Sequence, residues 1–270
     1  AVGLGVPGAA IATAIARIGM VAYGLSVLIR RHDLIARPAP ATMRRDFAPL
    51  AAIGVPAILT NIATPIGNGY MTAAIAAYGD AAVAGWTIIS RLIPVAFGGL
   101  FALSGAVGPV VGQNFGAGLF DRVRGALSDS LKVSTIYVVV VSAILLAAQH
   151  GIVAAFGASG EAADLVLLFC RYLAISFLFA GGLYVSNAAF NNLNYAALST
   201  VLNWGRATLG TVPFVIAGSW LAGSAGALTG FFVGGIPFGI IAMIFAYRIV
   251  ARLGRETVPP AVKSEAPARA

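Results

Sequence analysis

The sequence predicts an all-α integral membrane protein with seven transmembrane helices, and three observations predict it. Uncharged runs of 17 to 41 residues occupy positions 47–79, 133–149, 172–205 and 207–247. A helix rises 1.5 Å per residue, so about 20 residues cross a hydrocarbon core about 30 Å thick. The composition is 59% hydrophobic with a mean hydropathy of +0.92, whereas a globular chain is about half apolar. Finally, 13 of the 17 Lys and Arg residues fall in three of the gaps between apolar segments.

Breaking the apolar runs at their Gly, Asn and Pro clusters gives spans at 9–29, 47–77, 81–112, 133–149, 162–190, 199–220 and 225–247. The longer spans exceed the hydrocarbon thickness and are expected to tilt, kink or protrude. Pro56, Pro65, Pro94 and Pro109 mark the expected kinks.

Topology follows from the basic residues. Arg30, Arg31, Arg37, Arg44 and Arg45 lie between the first two spans; Arg122, Arg124 and Lys132 lie between the third and fourth; Arg248, Arg252, Arg255, Lys263 and Arg269 follow the last. The alternate loops contain none, so the basic loops and the C-terminus are expected in the cytoplasm. The net charge of +8 has the same origin, so nucleic acid is not expected as a partner, whereas a lipid bilayer is.

The chain opens without Met and enters a helix directly, as a piece of something larger would. Gly5-Val-Pro-Gly8-Ala9 before the first span matches Gly223-Ser-Ala-Gly226-Ala227 before the seventh at three positions. If these are equivalent places in a repeat, five helices are expected upstream.

Soluble chemistry has little support. Gly3, Gly5 and Gly8 satisfy G-x-G-x-x-G, but Pro7 interrupts the motif and an apolar segment follows it. His32 and His150 fall on opposite sides of the expected membrane and Cys170 is alone, so neither a local metal cluster nor an internal disulfide is expected. An intramembrane enzyme needs paired catalytic groups at depth, and the sequence offers no such pair. All nine carboxylates, Asp33, Asp46, Asp80, Asp121, Asp129, Glu161, Asp164, Glu256 and Glu265, fall in loops, in the tail or at span ends. The protein is therefore not expected to be an enzyme, and no cofactor is expected.

Four arginines fall inside spans: Arg17, Arg91, Arg171 and Arg206. Arg91 lies near the expected midplane, where a cation must face protein or water. It is expected either to bond to carbonyls of a kinked neighbouring helix or to make a switch contact with the helices expected upstream. The other three lie closer to an interface and are expected to snorkel. Asn61, Thr64 and Asn68 share one helix face at i, i+3, i+7. With Tyr70, Arg91, Ser176, Phe177, Tyr184 and Asn187 they form the expected substrate cavity, and Trp86 is a further aromatic wall. Interhelical hydrogen bonding explains the same polar stripe equally well. Gly108/Gly112, Gly230/Gly234 and Gly235/Gly239, each four residues apart, are expected close-packing sites.

The stretch Gly112-Gln113-Asn114-Phe115-Gly116-Ala117-Gly118 reads locally as a helix stop, because glycine adopts the left-handed conformation that closes helices. In its setting, after Ala77-Tyr-Gly79, Arg91, Pro94 and Pro109, it resembles the start of the C-terminal half of multidrug and toxic compound extrusion (MATE) transporters. Gly54-Val-Pro56, Ala188-Ala-Phe190-Asn-Asn, Ser199, Arg206, Pro213 and the run from Gly223 to Ala227 continue the likeness in order.

The resemblance implies part of a twelve-helix, two-lobed antiporter that exports cationic, amphipathic drugs against protons or sodium by alternating access. On it, residues 1–30 are the last helix of an N-lobe, 31–46 a cytoplasmic linker, 47–250 a six-helix C-lobe and 251–270 a disordered cytoplasmic tail. It implies an N-lobe partner outside the chain and a bacterial inner-membrane location. Sodium-coupled members place acids at positions that here hold Thr64 and Ala180, so the site for a coupling proton or sodium ion is expected in the missing half. A lipid-linked oligosaccharide flippase of the same superfamily and a purely structural membrane module are the alternatives.

Overall fold

The computed structural model describes residues 5–32 and 40–256. Its regular elements are helical: α1 (Gly5–His32), α2 (Pro40–Ala76), α3 (Asp80–Gly116), α4 (Phe120–Ala155), α5 (Gly160–Leu168), α6 (Phe177–Asn192), α7 (Ala196–Ala207), α8 (Val212–Val233) and α9 (Ile236–Glu256). Six stretches are long and apolar enough to cross a membrane. The last of them, Ala196–Arg255, runs 60 residues and contains a reversal at Ala222 and Gly223. Together with the apolar composition this makes the chain a multi-pass membrane protein. α1 and α2 extend into the expected linker and α9 into the expected tail; the rest of both segments, 33–39 and 257–270, lies outside the described residues.

The chain separates into two units, Ala1–Ala52 and Ile53–Ala270. In the first unit α1 exposes Ile15, Ile18, Met20, Val21 and Tyr23, an apolar surface suited to lipid or to another helix. The second unit carries the core. α6 runs through its centre, buried continuously from Val185 to Phe190, and packs against α3, α4, α7 and α9. Small residues permit this approach: a Cβ on Gly182 would meet the Met243 side chain, and one on Gly239 the backbone of Phe179.

The spans differ from the sequence expectation in where they break. The helices continue through Pro56, Pro65, Pro94 and Pro109. The fifth span instead changes winding between α5 and α6, through a π turn at Phe169–Leu173 and a 3-10 turn at Ala174–Ser176. The sixth and seventh spans are each interrupted midway, at residues 208–211 and 234–235.

The two interruptions share a local setting. Pro213 and Pro237 occupy the first turns of the segments that follow, where the N–H that proline lacks would have no helical partner. Glycines precede both, at Gly210 and at Gly234-Gly235. Side chains add donors at the end of α7: Thr208 Oγ1 donates at 2.7 Å to the Trp204 carbonyl, which also accepts the Thr208 N–H, and Thr211 Oγ1 donates to the Arg206 carbonyl at 3.0 Å.

Between the interruptions α8 folds back on itself. Ala222 (φ −149°, ψ 30°) and Gly223 (φ 58°, ψ −136°) make the turn, and only glycine takes the second conformation without strain. The two arms are zipped by glycines every fourth residue. A Cβ on Gly226 would strike the Gly218 carbonyl, one on Gly230 the Phe214 carbonyl, and one on Gly234 the Gly210 carbonyl. The seam sets the two interruptions side by side, at Gly210 and Gly234.

Candidate functional site

A cavity of about 190 Å³ opens beside the paired interruptions. α2 contributes Thr64 and Asn68; α3 contributes Trp86 and Ser90; the rewound fifth span contributes Ser176, Phe177 and Tyr184. Arg206, near the end of α7, and Phe231, Phe232 and Gly235, around the second interruption, complete that side.

The rings hold one another. Phe177 stacks on the buried Phe97 with centroids 3.9 Å apart and planes 2° from parallel. Trp86 meets Phe231 edge-on at 5.2 Å and donates its indole N–H to Thr72 Oγ1 at 2.9 Å. The 3-10 turn fixes Ser176, whose hydroxyl donates to the Leu173 carbonyl at 2.6 Å. Ser104 Oγ donates to the carbonyl of the cavity-lining Tyr184 at 2.9 Å, tying α3 to α6.

Arg206 is half-buried, and its Nη2 donates to Thr64 Oγ1 at 2.9 Å. Its Nε is shielded and has no partner among the described residues. This corrects the expectation that Arg206 snorkels: the interruption at 208–211 ends α7 one residue later, and the side chain turns inward to α2. Arg171 is exposed and donates to Gln149 Oε1 at 3.2 Å, and Arg17 is exposed on α1.

Of the expected cavity residues, Thr64, Asn68, Ser176, Phe177 and Tyr184 line one cavity with Trp86. The structure does not bring the others to it. Asn61 is exposed and donates to the Ala57 carbonyl at 2.8 Å. Tyr70 packs against the hydrophobic core. Arg91 is exposed one residue beyond the cavity-lining Ser90, and it neither lines the cavity nor hydrogen-bonds to a neighbouring carbonyl among the described residues. Asn187 is buried deeper along α6, with a shielded Oδ1 that has no partner among the described residues. Ala180, like Thr64 a position that the resemblance matches to an acid, also lines the cavity.

The glycine-rich stretch closes α3 far from this cavity. Ala117 N–H reaches the Gln113 carbonyl at 3.1 Å and Leu119 N–H the Asn114 carbonyl at 2.8 Å, with Gly118 at φ 71°. The Asn114 side chain donates to the Val110 carbonyl at 2.8 Å, and Gly116 is open. Gly112 and Gly108 form a notch for Asn192, whose amide atoms would lie 2.9 and 3.0 Å from added Cβ atoms. Among the described residues no group of three or more His, Cys, Asp and Glu side chains is placed to hold a metal.

The MatE family model matches residues 56–216. The chain belongs to the MATE family. That family comprises transporters rather than enzymes. An uncharacterized 21 kDa protein from the iaaL 5' region of Pseudomonas savastanoi is 31% identical over 217 residues, covering 78% of this chain and 70% of that one. A FAD transporter of Shewanella oneidensis is 27% identical, over 91% of this chain and 55% of its own length. Multidrug export protein MepA of Staphylococcus haemolyticus is 23% identical, over 93% and 55%.

Among solved structures, a mutant of the Vibrio cholerae MATE transporter VcmN superposes with a TM-score of 0.80 at 22% identity, covering 93% of this chain and 58% of that one. An outward-facing multidrug resistance MATE transporter of the MOP superfamily gives 0.82 at 17% identity, over 94% and 58%. These likenesses show a shared fold. The chain spans little more than half the length of the two named transporters and of both structures.

Proposed function

We propose that this chain is the substrate-holding lobe of a secondary active exporter of amphipathic, aromatic small molecules, working by alternating access and driven by inward flow of protons or sodium ions. One observation carries the reading: an aromatic cavity with polar groups converging on it lies where two adjacent membrane-spanning segments are both interrupted. Interrupted helices are where transporters build sites at membrane depth, because the free backbone and inward polar groups need a cavity rather than lipid.

The finer parts of the proposal rest on sequence. Counting the 60-residue apolar segment as two spans on either side of the reversal at Ala222 and Gly223 supports the seven spans read from sequence, with the last six taken as one lobe of a two-lobed fold and its partner lobe outside the chain. The basic loops and the C-terminus face the cytoplasm of a bacterial inner membrane. No carboxylate among the described residues lines the cavity, which supports a coupling-ion site in the other lobe.

The relative named for FAD supports an aromatic substrate, and the one named for multidrug export supports export of small molecules. The cationic drugs that the resemblance first implied fit this cavity less well, because the single charge lining it is Arg206.

The reading is tested by loading pump-deficient bacterial cells expressing the protein with fluorescent aromatic dyes of either charge and following their loss after energisation. Export of at least one dye that stops on collapse of the ion gradients is expected. Equal retention of every dye with and without the protein would overturn it.

A further inference from the structure

We propose that the cavity binds the anionic end of an aromatic compound, with Arg206 as the counter-charge. The proposal rests on the reading of this cavity as a substrate site and adds the sign of the group that enters it.

Arg206 brings a permanent positive charge to a cavity whose other polar groups are neutral: the hydroxyls of Thr64, Ser90 and Ser176, the Tyr184 phenol and the Asn68 amide. Its bond to Thr64 Oγ1 satisfies one N–H of a fork that carries five. The shielded Nε has no partner among the described residues. Among the described residues the carboxylates are engaged or exposed: Glu161 accepts from Ser224 at the hairpin, Asp129 pairs with Lys132 at 3.0 Å, and Asp46 with Arg45 at 3.1 Å. Asp80, Asp121 and Asp164 are exposed.

Helix ends do not supply the missing charge. The interruptions place two helix C-termini, at Ala207 and Val233, beside two N-termini, at Val212 and Ile236. Their half-charges of opposite sign offset one another, so the guanidinium sets the sign of the site. Burying a cation without its counter-ion is costly, and a carboxylate, sulfonate or phosphate entering beside Arg206 recovers that cost through charge-assisted, bidentate hydrogen bonds. A cationic ligand in the same place meets like charge. The remaining wall, Trp86, Phe177, Phe231 and Phe232, takes the apolar rings attached to that anion.

The experiment is equilibrium dialysis of the purified protein in nanodiscs against three probes that share one ring system: 2-naphthoate, neutral 2-naphthalenemethanol and 2-naphthylmethylammonium. Partition into protein-free nanodiscs is subtracted. The expected order is anion, neutral, cation, with the anion favoured over the alcohol by about tenfold or more, as for hydrogen bonds to charged groups.

Arg206→Gln should erase that preference, and Arg206→Lys should keep part of it. Thr64→Val removes the neutral acceptor, leaves the charge and should preserve the order, which guards against misreading an unfolded Arg206 variant. Equal binding of the three probes, preference for the cation, no binding at all, or an anion preference unchanged in Arg206→Gln would each overturn the proposal. Arg206-dependent anion binding in a protein that exports no dye would uphold this site and sink the transport reading alone.

Discussion

The glycine seam of α8 gives a quantitative prediction. A Cβ added at Gly230 would lie 2.6 Å from the Phe214 carbonyl carbon and 3.0 Å from the Val215 nitrogen, and would overlap the Phe214 oxygen. Ordinary contact begins near 3.4 Å, so Gly230→Ala forces the arms apart by about 1 Å. Because the obstacle is backbone, no rotamer change relieves it. Separation on that scale forfeits a quarter to a half of each dispersion contact along the seam, and overpacking of this kind costs about 1–3 kcal/mol.

Replacing a helical glycine by alanine returns up to about 1 kcal/mol, which leaves a net loss of roughly 1 kcal/mol and a fall of roughly 2–4 °C in melting temperature. Gly125, inside α4, has no atom within 4 Å of the Cβ position, so Gly125→Ala should leave the melt unchanged or raise it by roughly 2–4 °C. Cys170 is the single cysteine and only 1% exposed, so a thiol-reactive fluorophore reports unfolding in detergent without further engineering. A Gly230→Ala protein that melts at or above the wild type would refute the close-packed hairpin.

Phe97→Ala removes a fully buried ring stacked at 3.9 Å on Phe177; a loss of about 3–5 kcal/mol is expected, read as the largest fall in the same melt. Ser134 Oγ is shielded without a partner among the described residues, so Ser134→Ala should be neutral or stabilising by up to about 1 kcal/mol, and a clear fall in midpoint would show a missed partner. Reporter fusions test the topology: a fluorescent protein at the C-terminus should be bright and alkaline phosphatase there inactive, and the reverse pattern would invert the orientation.

The spans were legible in the sequence because a bilayer imposes a coarse requirement, length without charge, that composition alone reveals. The interruptions were legible only in part. Pro213 and Pro237, each preceded closely by glycine, sit at the breaks, but Gly54-Val-Pro56 and Gly108-Pro109 lie in helices that continue, so a glycine close before a proline does not by itself mark a break.

The π turn at Phe169–Leu173 contains neither Gly nor Pro, so nothing local announces it. Ser176 and Phe177, which follow it, line the cavity with Thr64 of another helix. The polar stripe on α2 pointed toward the cavity at Thr64 and Asn68 but carried Asn61 with it, because helical periodicity assigns a face and not a depth. Depth measured from span ends points to Arg91 rather than Arg206. That measure fails where a span is interrupted, as at residues 208–211.

The central claim is that the transported molecule passes through the cavity between Thr64, Trp86, Phe177 and Arg206. Ser90→Trp tests it most directly, since Ser90 lines the cavity from α3 and an indole there fills the space. Dye efflux from energised cells should be abolished while membrane abundance and melting temperature stay at wild-type levels. Wild-type efflux through the plugged protein would contradict the account.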